Sequence, residues 1–148
     1  MQAINRILVT TDFSETSKAV FLLAREVAEK FDAEITLLHV LDAHLPPQTF
    51  EPIGVSAREF DEERMGRAAA QLEAFAEPLG QRIETKVTAG IPHVGIVKFA
   101  EDNAIDLIVM ATHGRGFFSH AILGSTTERV VRRASCPVLT VRDQSLED

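Results

Sequence analysis

Residue types that hold phosphate fall together in one short stretch, Gly114-Arg-Gly-Phe-Phe-Ser-His-Ala-Ile-Leu-Gly124-Ser125-Thr126. Glycine lets a backbone approach a phosphate closely. Helix-start N–H groups, with Ser or Thr hydroxyls, satisfy its oxygens. The same residues also suit plain turns and an ordinary helix cap at Ser125. No Gly-Lys-Ser/Thr follows, so this is not a Walker loop. Upstream, Thr11 and Asp12 follow the first apolar run. A carboxylate at Asp12 can accept two hydrogen bonds from the vicinal hydroxyls of a ribose. It can equally support a helix N-terminus, where negative charge is favourable.

His113 and Arg115 flank Gly114, and either can meet a β- or γ-phosphate. Lone basic loop residues are also commonly just solvated. His39, His44, His93 and His120 show no metal-ligand spacing with one another or with a carboxylate cluster. No metal held by the protein alone is expected. A magnesium or manganese ion would arrive with a nucleotide triphosphate.

These residues need strands and helices to bring them together. Arg6–Thr10, Glu34–Val40, Asp106–Met110 and Pro137–Val141 are short β-branched runs. Three of them are nearly continuous in apolar character, as expected of strands covered on both faces. Ile83–Val87 alternates and belongs at or near a sheet edge. Ser14 can cap a helix through Phe31, with Ala19, Leu22, Leu23, Glu26, Val27 and Phe31 as its stripe. Further helices are predicted over 57–79, over Pro92–Asn103 with Pro92 in the first turn, and over Ser125–Ala134. The last turns Val130 and Val131 inward and three arginines outward.

The order is β-α-β-α-β-α-β-α-β. It predicts an α/β fold: a single open, doubly wound sheet of five mostly parallel strands, with helices on both faces. No domain boundary is visible, so residues 1–148 are read as one domain. Asp42–Val55, rich in proline and glycine, reads as a flap near the ligand. Ligands in such sheets bind beyond the carboxyl ends of the strands, where the strand order reverses. That rule selects the segments around Asp12, Val40 and Met110-Ala111-Thr112-His113-Gly114. Val138, Leu139 and Val141, in the last strand, are expected at a sheet edge, which invites pairing with a second copy.

Composition narrows the functions. Fifteen Lys+Arg against twenty-two Asp+Glu give a formal charge of −7, which argues against a nucleic-acid binder. The one local basic patch able to take a small phosphate is Arg129, Arg132 and Arg133. Cys136, the sole cysteine, permits no intrachain disulfide and reads as a packed, inert thiol. No secretory leader and no apolar run of 18 residues is seen, so no membrane span is expected and the chain reads as cytoplasmic.

The segments TTDFSETS, LLHVLD, DLIVMATHGRG and LGSTTERVVRRASCPVLTVR together resemble the universal stress protein family over essentially the whole chain. ATP-binding members carry Gly-x2-Gly-x9-Gly-Ser/Thr. Gly114, Gly124 and Ser125 match it, whereas Ala111 stands at the first glycine. The resemblance implies an ATP or AMP site with Asp12 on the ribose beside Thr11, and adenine against the backbone of Val40. It sets Met110 and Ala111 beside the ribose and α-phosphate, with Gly114, Gly124, Ser125 and Thr126 on the phosphates. It also implies homodimers through the C-terminal strand and a regulatory role in stress responses. An ATP pyrophosphatase is disfavoured, because its Ser-Gly-Gly-x-Asp-Ser loop is missing. No activated nucleophile or catalytic carboxylate pair is identifiable, so at most slow ATP hydrolysis is expected. A non-catalytic interaction protein with a vestigial site is the other alternative.

Overall fold

The computed structural model describes residues 3–42, 57–80, 82–113 and 123–142. The elements are β1 (Arg6–Thr10), α1 (Glu15–Phe31), β2 (Glu34–Asp42), α2 (Ala57–Ala76), β3 (Ile83–Gly90), α3 (Pro92–Asp102), β4 (Leu107–Ala111), α4 (Ser125–Arg133) and β5 (Val138–Val141). All strand pairs are parallel and the sheet order is β3-β2-β1-β4-β5. The order reverses between β1 and β4, so the switch point lies at the carboxyl ends of these two strands. The alternating run Ile83–Val87 does form an edge, and β5 is the other edge.

Period-two alternation in the central strands divides the core between two faces. Ile7, Val9, Ile35, Leu37 and Val109 pack against Val20, Phe21 and Ala24 of α1 and Leu72 of α2. Leu8, Leu38, Val40, Ile108 and Met110 meet Ile96 and Ala100 of α3 and Val130 of α4. Strands apolar on both faces therefore read as continuous runs in the sequence.

In packing and capping, three details differ from the sequence expectation. In α1, Leu22 and Phe31 are 68% and 52% exposed, while Ser17, Val20, Phe21, Ala24 and Ala28 are buried. The phase is set partly by a polar tether, because the Ser17 and Thr11 hydroxyl oxygens lie 2.7 Å apart. Ser14 occupies the N-cap position but its side chain makes no cap bond; Ser17 Oγ instead donates to the Ser14 carbonyl at 2.7 Å. In α4, Val131 is 44% exposed. Thr127 and Val130 already take the inward face, and Val131 lies about 100° round the helix from Val130.

The helix expected over 57–79 ends at Ala76, followed by a 3₁₀ turn at Glu77–Leu79. Pro78 has no N–H to continue an α-helical ladder. β2 runs on to Asp42 and β3 to Gly90. Of the expected flap, Asp42–Val55, all but Asp42 lies outside the described residues.

Candidate nucleotide site at the strand ends

β1 leads out of the sheet through Thr11, whose N–H donates to the Leu38 carbonyl at 3.1 Å. Thr10 pairs with Leu38, and Val9 with Val109. Continued by two or three residues, this register sets Asp12 level with Val40 on one side and Thr112 on the other. Residues widely separated in the chain are thus brought to one rim of the sheet.

The turn carrying Asp12 is over-determined by hydrogen bonds. Asp12 Oδ1 accepts the Ser14 N–H at 2.9 Å, and Thr11 Oγ1 accepts the Phe13 N–H at 3.0 Å. Phe13 holds φ at 68°, a left-handed conformation that costs a non-glycine residue about 1–3 kcal/mol. Its ring lies 4.3 Å from that of His39 and 5.2 Å from that of Phe75, centroid to centroid. His39 Nδ1 is 2.8 Å from the Thr11 carbonyl oxygen, and a carbonyl can only accept, so Nδ1 carries the proton. Packing and bonding from three elements fix where the Asp12 carboxylate sits.

Val40 and Met110 are buried at 7% and 4% exposure, their side chains committed to the core beneath α3 and α4. They can offer a ligand their backbone. Ala111 ends β4, and its carbonyl accepts from Thr127 Oγ1 at 2.8 Å. This bond ties the fourth strand to the first turns of α4.

The two ends of the glycine-bearing segment are also pinned together. Gly124 N donates to the Thr112 carbonyl at 2.7 Å, while Thr112 N donates to Val141 on β5 at 3.0 Å. Gly124 is the N-cap of α4 with φ −66° and ψ 159°. Any residue can adopt this extended conformation, so the backbone angles do not require glycine there. Ser125 and Thr126 follow in the first turn, where N–H groups lack intrahelical partners. His113 is buried, not solvated, and its Nδ1 is 3.2 Å from Thr112 Oγ1. Gly114 and Arg115 lie outside the described residues.

From the sequence, His39 is weighed only as a metal ligand and as part of the segment after the second strand, and Ser17 and Thr127 are given no tethering role. Each is a polar residue at an inward position of an apolar element, which is the signal that could have found them. The described residues include no group of three His, Cys, Asp or Glu placed to hold a metal ion. A separate cavity of about 310 Å³ lies at the opposite, amino end of the sheet. Its rim charges are already paired, Arg25 with Glu29 at 3.2 Å and Arg82 with Asp32 at 3.1 Å.

Comparison with known proteins places the chain in a family and matches its fold. The model of the universal stress protein family matches residues 3–142. The universal stress protein MJ0531 of Methanocaldococcus jannaschii is 35% identical, over 96% of this chain and 84% of its own. MJ0577 of the same organism is 30% identical, over 93% and 94%. The solved structure of MJ0577 superposes with a TM-score of 0.82, covering 97% of this chain and 99% of that one. A universal stress protein solved in complex with cAMP shares the fold, with a TM-score of 0.67 and 22% identity over 95% and 98% of the two chains. On the family match and these two relatives, the chain belongs to the universal stress protein family.

Proposed function

We propose that this protein is an adenine-nucleotide-binding regulator of stress responses, holding ATP or AMP as a ligand and hydrolysing ATP slowly at most. One observation carries the reading. Gly124 stands at the mouth of α4 in a conformation that does not need glycine, and the missing side chain there leaves the helix-start N–H groups open to close approach by a phosphate. Around it, Asp12 receives the ribose, with Thr11 beside it, and the Val40 backbone meets the adenine. Met110 and Ala111 flank the ribose and α-phosphate. Gly124, Ser125, Thr126 and Gly114 take the phosphates, with His113 and Arg115 at the distal end. The family relative solved with cAMP supports an adenine nucleotide as ligand. Magnesium or manganese would bind through triphosphate oxygens and neutralise their charge.

Ala111 favours the second reading, an interaction protein with a vestigial nucleotide site, because it departs from the first fingerprint glycine. A methyl there leaves the main-chain N–H in place, so nucleotide binding remains the reading we adopt. Residues 1–148 act as one unit in the cytoplasm. Homodimers form through β5, whose Val138, Leu139 and Val141 lie at a sheet edge without the charges that mark β3, where Lys86 pairs with Glu84 at 3.1 Å.

The test is thermal. A native-state ligand at a hundred times its Kd adds about 2.7 kcal/mol, or roughly 5–11 °C in Tm for a domain of this size. ATP with magnesium should produce that shift and GTP clearly less. Equal shifts with ATP, GTP and inorganic triphosphate would reduce the site to a general anion site.

A further inference from the structure

Three basic side chains, His93, Arg129 and Arg133, come near one another where α3 packs on α4. His93, in the first turn of α3, is buried. Nη1 of Arg133 lies 3.4 Å from its Nε2. A guanidinium can only donate, so Nε2 accepts and the ring is neutral. Arg129 lies one turn earlier on α4, on the same side of the helix as Arg133. Burial first, then the charges of Arg129 and Arg133, hold His93 below its ordinary pKa.

Arg132, the third arginine of the segment, is engaged elsewhere, 2.8 Å from Glu128. Among the described residues, neither Arg129 nor Arg133 forms an ion pair with a carboxylate. This is unexpected in a chain with a formal charge of −7. Glu128, next to Arg129 in the chain, is engaged by Arg132, which leaves two guanidinium groups on α4 and an imidazole on α3 without a carboxylate partner among the described residues.

We propose that His93, Arg129 and Arg133 form a second anion site that binds a phosphate dianion, either free or as a phosphate monoester. Two fixed positive charges match two negative ones, and guanidinium forks suit phosphate oxygens. With the anion seated, Arg133 turns its donors to the ligand, and His93 takes up a proton and donates a third hydrogen bond. The Arg133 end of the site is set back from the candidate nucleotide rim. Arg133 lies about 12 Å along the helix axis from Ser125, at 1.5 Å per residue.

The His93 ring reports its own occupancy. Imidazole nitrogen NMR on the full chain follows its signal, assigned by its loss in His93→Gln, during titration with inorganic phosphate at ionic strength held constant by chloride. We expect a saturable shift at millimolar phosphate and a rise of about one unit in the His93 titration midpoint. An Arg129→Gln/Arg133→Gln protein with an unchanged amide spectrum should lose both effects. Glycerol phosphate serves as a second arm. Saturation by it assigns the site to phosphate monoesters as well, and saturation by inorganic phosphate alone assigns it to the free ion; either supports the site. No saturable shift, the same shift with acetate, or an unchanged response in the double variant would overturn it.

Discussion

His39 Nδ1 lies 2.8 Å from the carbonyl oxygen of Thr11, although the two residues are 28 apart in the chain. The bond joins β2, three residues before its end, to the exit of β1, directly before Asp12. With Phe13 packed at a tilt of 38° against the same imidazole, it makes the position of the carboxylate a property of the sheet and not of a free loop.

Replacing His39 with Leu keeps the bulk and removes the donor. The buried Thr11 carbonyl then loses its partner, which costs about 1–3 kcal/mol. Denaturant unfolding should show this loss, and nucleotide affinity should fall with it as the Asp12 turn loosens. Wild-type stability and affinity in His39→Leu would mean that the bond positions nothing.

The sheet, its order of elements and its edge strand were legible because apolar runs and helix punctuation are local properties. The phase of α1 was not. Counting apolar residues favours Leu22 and Phe31, yet Ser17 faces inward because Thr11 offers it a partner, and no local pattern carries that information. Residue type and spacing marked the Asp12 and Gly124 regions as candidates, with a turn or cap role equally open at each. The roles of His39 and His93 were not legible, since each depends on a contact made 28 or 40 residues away.

Gly95 sits in α3 above Val40, and a Cβ there would come within 3.1 Å of both Val40 methyl carbons. Alanine gains about 1 kcal/mol in helix propensity, while overpacking a buried valine costs about 1–3 kcal/mol. Val40 is a buried core residue of β2 with little room to yield, so Gly95→Ala should lose roughly 0–2 kcal/mol overall. In a Val40→Ala background the same change should become stabilising. A double-mutant cycle by denaturant unfolding reads the coupling, and strict additivity would contradict it.

Acid should weaken the fold through His93. Its pKa in the folded state is lowered from 6.5 by burial and by Arg129 and Arg133. The unfolded chain therefore binds more protons below 6.5. The neutral ring contributes stability that is fully present above that pH and is lost as the pH falls toward the depressed folded value. The slope from one such group is at most about 1.4 kcal/mol per pH unit. Stability–pH curves of wild type and His93→Gln should diverge below pH 6.5, with the variant flatter; parallel curves would remove His93 from the account.

Leu139 pairs with Val109 inside the sheet, and the other side of β5 is the edge proposed for dimerisation. Leu139→Pro removes one ladder N–H and should give monomer or misfolded protein. Light scattering at micromolar concentration should find a dimer for wild type. A well-folded wild-type monomer would refute the seam.

The most direct measurement is calorimetric titration of ATP into wild-type and Gly124→Val proteins, with a melting curve of each. Valine can adopt the φ of −66° and ψ of 159° found at position 124, so the substitution strains no backbone angle and the variant should stay folded, melting a few degrees below wild type because valine is a poorer N-cap than glycine. Its side chain occupies the space assigned to a phosphate, so ATP binding should be abolished while wild type binds with a defined stoichiometry. A Gly124→Val protein that melts early yet binds ATP with wild-type affinity would show that this helix mouth holds no phosphate.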